Sequence, residues 1–270
     1  MSTENGATTS PVRYELTDGL ATITLDRPEA MNSLDTATKE ALLAAVRHAA
    51  ENSDVRCVVL TGTGRAFCVG QDLREHATNL GTQSLEEVWS TVERHYSPIA
   101  LTIATMDKPV VAAVNGVAAG AGMSLAMVCD WRVAADSASF NTAFTGIGLG
   151  CDTGSSWTLP RLVGTTKAME LLMWPRSVGA DEALRIGLVN WVFPADELDA
   201  EVADIAARLV AGPTLAFAAA KRSVGYGASH SLEETLGVEA QMMAWTGGST
   251  DHRNAVESFG AKRRPEFRGS

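Results

Sequence analysis

The sequence is short of positive charge, histidine, cysteine and aromatic side chains, and each shortage closes off a class of function. Lysine and arginine number 22 against 32 acidic residues, a net charge of −10, so no general positive field exists to draw in nucleic acid. His48, His76, His95, His230 and His252 form no ligand pair, and no metal is expected. Cys57, Cys68, Cys129 and Cys151 lack metal-ligand spacing and sit mostly among apolar residues. They read as reduced, buried thiols, and the expected location is cytoplasmic. A membrane span is also missing, because the longest apolar stretch, Pro109 to Cys129, is interrupted by Asn115 and several glycines. The opening MSTENGATTSP is polar throughout and reads as a frayed tail rather than a signal peptide.

What remains is an ordinary globular composition, 46% hydrophobic and 20% charged, in 270 residues. Leu20 to Leu25 alternates like a strand, and Asp35 to Ala50 has helical spacing with Asp35 as N-cap. Cys57 to Thr61 and Val110 to Val114 are continuous apolar runs, typical of strands buried on both faces. Trp131 to Ala134 reads as a further short strand. Beyond Thr165 the pattern predicts helices over Lys167–Trp174, Ala180–Ile186, Glu197–Val210, Pro213–Val224, Leu232–Trp245 and Asp251–Gly260, with Trp191 to Phe193 as a strand. The expected division is a flexible tail (1–11), an α/β core (12–211) and a C-terminal helical region (212–270). From Arg253 to Ser270 the acidic balance reverses: Arg253, Lys262, Arg263, Arg264 and Arg268 face only Glu257 and Glu266. That patch reads either as a solvated helix end or as a site for an anionic small molecule.

Two glycine-rich segments carry most of the chemistry. GRAFCVGQDL (Gly64 to Leu73) follows the run at Cys57, and NGVAAGAG (Asn115 to Gly122) follows Val110 to Val114. A strand that ends in small residues and opens a helix exposes backbone N–H groups without side chains in the way. Two such turns could aim two donors at one point, as needed to hold a carbonyl oxygen while it becomes an anion. The helix Met123 to Val128 would add the positive end of its dipole. The other reading is that these glycines only let strands and helices pack closely.

Together with LDRPEAMNSLD, KPVVAAVNGVAAGAGMSLAMVCD, LPRLVG, EALRIGLVN and AVESFGAKRRPEF, in that order between Val12 and Arg268, these segments resemble the crotonase (enoyl-CoA hydratase/isomerase) superfamily. The resemblance implies an α/β spiral of ββα repeats with a C-terminal helical trimerisation region, assembled as a homotrimer or homohexamer. It implies an acyl-CoA thioester substrate, with coenzyme A part of the substrate rather than a separate cofactor. The oxyanion hole maps onto the backbone N–H groups of Gln71 and Ala121.

The superfamily's hydratases carry two glutamates, and this chain has Ser124 and Phe144 at those positions. Asp152, in IGLGCDTGSSWTLPRLVG, matches the catalytic aspartate of an isomerase branch, which includes the phenylacetate-pathway ring-epoxide isomerase, and of the 4-chlorobenzoyl-CoA dehalogenases. GSSWTLPR and STDHRNAVESFGAKRRPEF favour the isomerase branch. The dehalogenase histidine falls at Ser97 and its ring-facing tryptophan at Phe144, with His95 two positions away. The expected reaction is therefore migration of a double bond from β,γ to α,β, with Asp152 as sole general acid/base. By residue type alone, Asp152 also reads as a helix N-cap or turn aspartate.

By the same resemblance Arg27, Met31 and Leu34 line the coenzyme A, and Arg65 adds charge nearby. Phe259 and Lys262 would reach the nucleotide of a neighbouring subunit, although core packing is an alternative for Phe259. Trp89, Val92, Phe144 and Trp157 are expected on the acyl pocket, where the spacing of Trp89 and Val92 suits ordinary core equally. The competing functions are a hydratase or other lyase of the superfamily, and a catalytically weak acyl-CoA-binding paralogue.

Overall fold

The computed structural model describes residues 10–270; residues 1–9, most of the expected tail, lie outside the described residues. The strands are β1 (Val12–Thr17), β2 (Leu20–Leu25), β3 (Cys57–Gly62), β4 (Ala66–Cys68), β5 (Val110–Val114), β6 (Val117–Ala119), β7 (Trp131–Ala135), β8 (Ser139–Asn141), β9 (Val178–Gly179) and β10 (Trp191–Phe193). One movement of the chain is repeated. A Val/Ala-rich run becomes a strand of a six-stranded sheet, order β1-β2-β3-β5-β7-β10, and a few residues later a short strand joins a second sheet, order β4-β6-β8-β9. The pairs β3/β4, β5/β6 and β7/β8 are successive turns of this spiral. β2, β3, β5, β7 and β10 run parallel, whereas β1 returns antiparallel on β2 and β9 antiparallel on β8. All five residues of β5 are buried, as a parallel strand covered on both faces requires.

The helix Thr36–Glu51 shows how the connections are fixed. Asp35 caps its start by accepting from the Thr38 N–H at 2.8 Å. Leu42, Leu43, Val46 and Ala49 bury one face. Its last carbonyls would be stranded, and buried Lys108 answers them, donating to Ala49 O (2.6 Å), Ala50 O (3.0 Å) and Asn52 O (2.5 Å).

The expected α/β spiral with C-terminal helices is the fold found. The helices Leu198–Val210, Thr214–Gly227, Leu232–Gly247 and Thr250–Gly260 lie close to where periodicity puts them. β1, the three-residue strands β4, β6 and β8, and the helices Leu73–Thr82, Leu85–Thr91 and Ser97–Thr105 were not expected. Three residues are too few to show a period, and LREHATNLGT buries no residue at all, so neither signals itself in an apolar pattern. Both glycine-rich segments therefore contain a strand of the second sheet.

Beyond Gly260 the basic tail folds back on the core. The Asp251 carboxylate accepts from the N–H groups of Arg268 and Gly269 at 2.7 and 2.8 Å, and Arg56 donates to Phe267 O and Gly212 O, both at 2.6 Å. Among the described residues no single helix is long and apolar enough to cross a membrane.

Candidate active site

β4 and β6 pair in parallel, Ala66 opposite Val117 and Cys68 opposite Ala118, which lays the ends of the two glycine segments side by side. The approach is too close for side chains. A Cβ on Gly122 would stand 2.1 Å from Cys68 O; one on Gly70, whose φ is +83°, would stand 2.9 Å from Ala119 O and 3.0 Å from Ala121 N. The glycines do allow tight packing, and that packing is what brings Gln71 and Ala121 together. The two readings of these segments are thus one.

Ala121 opens the helix Ala121–Val128, where the first N–H groups lack intrahelical acceptors. Gln71 is fixed by a bridge to Leu34: Leu34 N–H donates to Gly70 O at 2.8 Å, and Asp72 N–H to Leu34 O at 3.2 Å. Among the described residues neither the Gln71 nor the Ala121 N–H has a protein acceptor. Both residues line one cavity of about 420 Å³.

That cavity also takes in Asp152, Trp89, Val92 and Phe144, so the structure brings together six of the expected site residues. Asp152 is the one carboxylate on its wall among the described residues. The Asp-Thr-Gly segment does form a turn, closed by the Ser155 N–H donating to the Asp152 main-chain oxygen at 3.0 Å, with Thr153 and Gly154 both at positive φ. The N-cap of the helix Ser155–Val163 is Gly154. The Asp152 carboxylate caps nothing and accepts from the Thr153 hydroxyl at 2.7 Å. Burial pushes its pKa above the usual carboxylate range, opposed by the Thr153 bond, its own N–H and the Lys39 charge.

The two positions that hold glutamate in hydratases are closed to that role. Ser124 is fully buried; its hydroxyl bonds Gly120 O at 3.0 Å and also the Ser155 hydroxyl. Phe144 presents only an aromatic wall. His95 is buried, hydrogen-bonded through Nδ1 to the Thr91 hydroxyl, and absent from the cavity lining.

Other expected residues lie elsewhere. Trp157 is not among the residues lining this cavity; it is 47% exposed and stacks beneath Arg161 at 4.1 Å. Leu34 is fully buried, so its side chain has no surface for coenzyme A and its part is the bridge to Gln71. The Arg27 guanidinium is already engaged by Asp35 (3.1 Å), Asp72 (3.3 Å) and Ser33 O (2.7 Å). Met31 turns the same loop at φ 52°, and Arg65 is exposed. Phe259 is 86% exposed, which overturns the core-packing alternative, and neither it nor Lys262 lines the cavity of its own chain.

Sequence reasoning missed Asn32, Lys39 and Tyr96. Asn32, fully buried at φ 55°, donates to Thr63 O and Ala66 O and so anchors the first loop to β4. Tyr96 and Lys39 both donate to Gln71 Oε1, at 2.6 and 3.3 Å. Lys39 could have been noticed, because it falls on the stripe of Leu42, Leu43 and Val46 at the apolar spacing of its helix. Among the described residues no group of His, Cys, Asp and Glu side chains is arranged to hold a metal.

Comparison with known proteins agrees with this geometry. The sequence profile of the Enoyl-CoA hydratase/isomerase family matches residues 15–270. A Rhodobacter capsulatus protein named a probable enoyl-CoA hydratase is 44% identical over 261 residues, 96% of this chain and 98% of its own. The 1,2-epoxyphenylacetyl-CoA isomerase of Escherichia coli is 37% identical over 252 residues, 93% and 95% of the two chains. The hydratase-named relative is thus the more similar of the two, and the expected leaning toward the phenylacetate-pathway branch is not favoured by identity. A Mycobacterium abscessus crystal structure assigned to the same family superposes with a TM-score of 0.92 at 40% identity, covering 96% of this chain and all of the other. The chain belongs to the enoyl-CoA hydratase/isomerase (crotonase) family.

Proposed function

We propose that the protein is an enoyl-CoA isomerase that moves a double bond from the β,γ to the α,β position of an acyl-CoA thioester, with Asp152 as the only general acid/base. The observation that carries this reading is a single carboxylate on a cavity wall that also holds two uncommitted N–H groups. The thioester oxygen accepts from Gln71 and Ala121. Asp152 removes a proton from the carbon beside the carbonyl, charge moves to the oxygen as the dienolate forms, and the same carboxyl returns the proton two carbons away. One group can serve both carbons because the intermediate is held by its oxygen. A hydratase must activate water and protonate carbon from separate acids, and Ser124 and Phe144 supply neither.

The thioester handle is assigned to Arg27, Met31 and Arg65 on this chain and to Phe259 and Lys262 of a neighbouring subunit. Large apolar side chains left exposed on the C-terminal helices, among them Val224, Leu232, Met243 and Phe259, support a homotrimer or a pair of trimers. Trp89, Tyr96 and Phe144 suit a ring-bearing or unsaturated acyl group.

A panel of β,γ-enoyl-CoA thioesters, followed by the rise in conjugated-enoyl absorbance, tests the reaction. Conjugation that disappears in Asp152→Asn, with folding intact, is the expected result; conjugation retained in that variant overturns it. The similarity to a hydratase-named relative favours one second reading. Loss of α,β-enoyl absorbance on incubation with crotonyl-CoA would establish that activity instead.

A further inference from the structure

Two lysines are buried, and they differ in what surrounds them. Lys108 closes a helix end with three backbone carbonyls. Lys39, 2% exposed, donates only to two neutral side-chain oxygens, Thr91 Oγ1 at 2.9 Å and Gln71 Oε1 at 3.3 Å, and its ammonium stands 5.5 Å from the centre of the Tyr96 ring. Among the described residues no carboxylate is within 4.0 Å of it. Burying an ammonium costs several kcal/mol, and a methionine would fill the same space without that cost. The charge is therefore retained for what it faces.

The acids around it are Asp35 from its own helix cap, Glu75 and Asp72 from the neighbouring helix, and Asp152 from the cavity wall. Asp35 and Asp72 are paired with Arg27, and Glu75 accepts from the Thr36 N–H at 3.0 and 3.1 Å. Asp152 has no cationic partner in contact, so the Lys39 field is the positive influence on it. His95, the remaining titratable neighbour besides Tyr96, is held neutral: burial lowers its pKa, as do Lys39 and Arg94, against Glu40 and Glu75. The Thr91 hydroxyl, which accepts from Lys39, also shares a hydrogen bond with His95 Nδ1 at 3.0 Å, which fixes the far side of the lysine.

We propose that Lys39 is a positioning residue for this site: with Tyr96 it clamps the Gln71 side chain so that the Gln71 N–H stays aimed into the cavity. The proposal rests on the reading of Gln71, Ala121 and Asp152 as the reacting machinery. The Leu34 bridge holds the peptides on either side of Gln71, and the clamp holds its side chain, five bonds from the main-chain N–H, so the residue is anchored from both ends.

The test uses Lys39→Met and Tyr96→Phe in the full chain, with two readouts that need no turnover. The first is the infrared carbonyl stretch of a bound saturated acyl-CoA labelled with ¹³C at the thioester. It is expected to move to lower frequency on binding to the wild type and to lose part of that displacement in both variants. The second is the titration of the Asp152 carboxyl band, identified by its absence in Asp152→Asn. Its midpoint is expected to rise in Lys39→Met and to return in Lys39→Arg. In the conjugation assay kcat should fall roughly tenfold or more with KM nearly unchanged, as for a contact that matters in the transition state. A folded Lys39→Met with an unmoved carbonyl stretch overturns the proposal, whatever the Asp152 band does. If Lys39→Met does not fold, an unchanged stretch in Tyr96→Phe overturns the clamp. If the wild type itself leaves the stretch unmoved, the two-donor reading fails, and the clamp that rests on it fails with it.

Discussion

Ser124 and Ser155 share a buried hydroxyl–hydroxyl hydrogen bond that ties the helix opened by the second glycine segment to the helix that follows Asp152. One helix carries the Ala121 N–H and the other stands immediately behind the carboxylate, so the bond sets the spacing between the Ala121 N–H and the Asp152 carboxylate. Removing the Ser124 hydroxyl leaves that of Ser155 buried without its partner, at a cost of about 1–3 kcal/mol, whereas without Ser155 the Ser124 hydroxyl still donates to Gly120 O. Ser124→Ala and Ser155→Ala should each lower the melting temperature, and the double variant should lose less than the sum of the two. Thermal denaturation in a double-mutant cycle measures the coupling; strict additivity would mean that the bond does not form.

Asp152 imposes opposite demands on activity and stability. Burial raises its folded-state pKa, so the folded protein binds the proton more tightly than the unfolded chain does. Its stabilising contribution is then full below the unfolded pKa and is lost as pH rises through the folded value. Asp152→Asn should therefore melt higher than wild type at pH 7, with the advantage shrinking toward pH 4. On the proposed reading Asp152 acts as the base and must be ionised, so kcat for conjugation should fall on the acid side at a pH above the ordinary aspartate value of about 3.9. Melting curves and pH–rate profiles collected over the same range check both halves.

Gly70→Ala should injure the site more than the fold. The new methyl would press on Ala119 O and Ala121 N from a backbone at φ +83°, so both donors must shift. Loss of one oxyanion donor costs on the order of 10²–10³ in rate, and a reduction in kcat of that size with acyl-CoA still bound is expected. Steady-state kinetics with a binding titration separates the two.

Much of this was legible from residue patterns, and the rest was not for identifiable reasons. β3 and β5 are long apolar runs, and the C-terminal helices keep a 3.6-residue period, so tertiary context only had to confirm them. The glycine segments signalled free N–H groups, yet the pairing of β4 with β6 that juxtaposes them rests on three-residue strands with no period to read. Asp152 stood out because the acids expected at Ser124 and Phe144 were missing. The sequence around Trp157 does not say which way a helix turns its faces, and the structure turns this one toward solvent under Arg161. Lys39 escaped notice because a single charged residue on an apolar stripe is normally one that reaches out to water, whereas this one is enclosed by Gln71, Thr91 and Tyr96.

Lys108 provides the contrast that isolates what burial of a lysine does away from the site. Its ammonium donates to the carbonyls of Ala49, Ala50 and Asn52, with three bonds between 2.5 and 3.0 Å, and Asn52 O also accepts from the Val55 N–H at 3.2 Å. Lys108→Met keeps the volume and removes all three donors, leaving the buried Ala49 carbonyl without its Lys108 bond at the end of Thr36–Glu51. Leaving a buried carbonyl short of a partner costs about 1–3 kcal/mol, which in a chain of this size corresponds to a fall in melting temperature of roughly 2–12 °C. The helix also carries Lys39 at its other end, so a displacement there would reach Gln71. Since Lys108 touches no part of the cavity, kcat measured well below the melting transition should stay within about twofold of wild type. A stable variant with impaired turnover would show instead that the helix end communicates with the oxyanion donors.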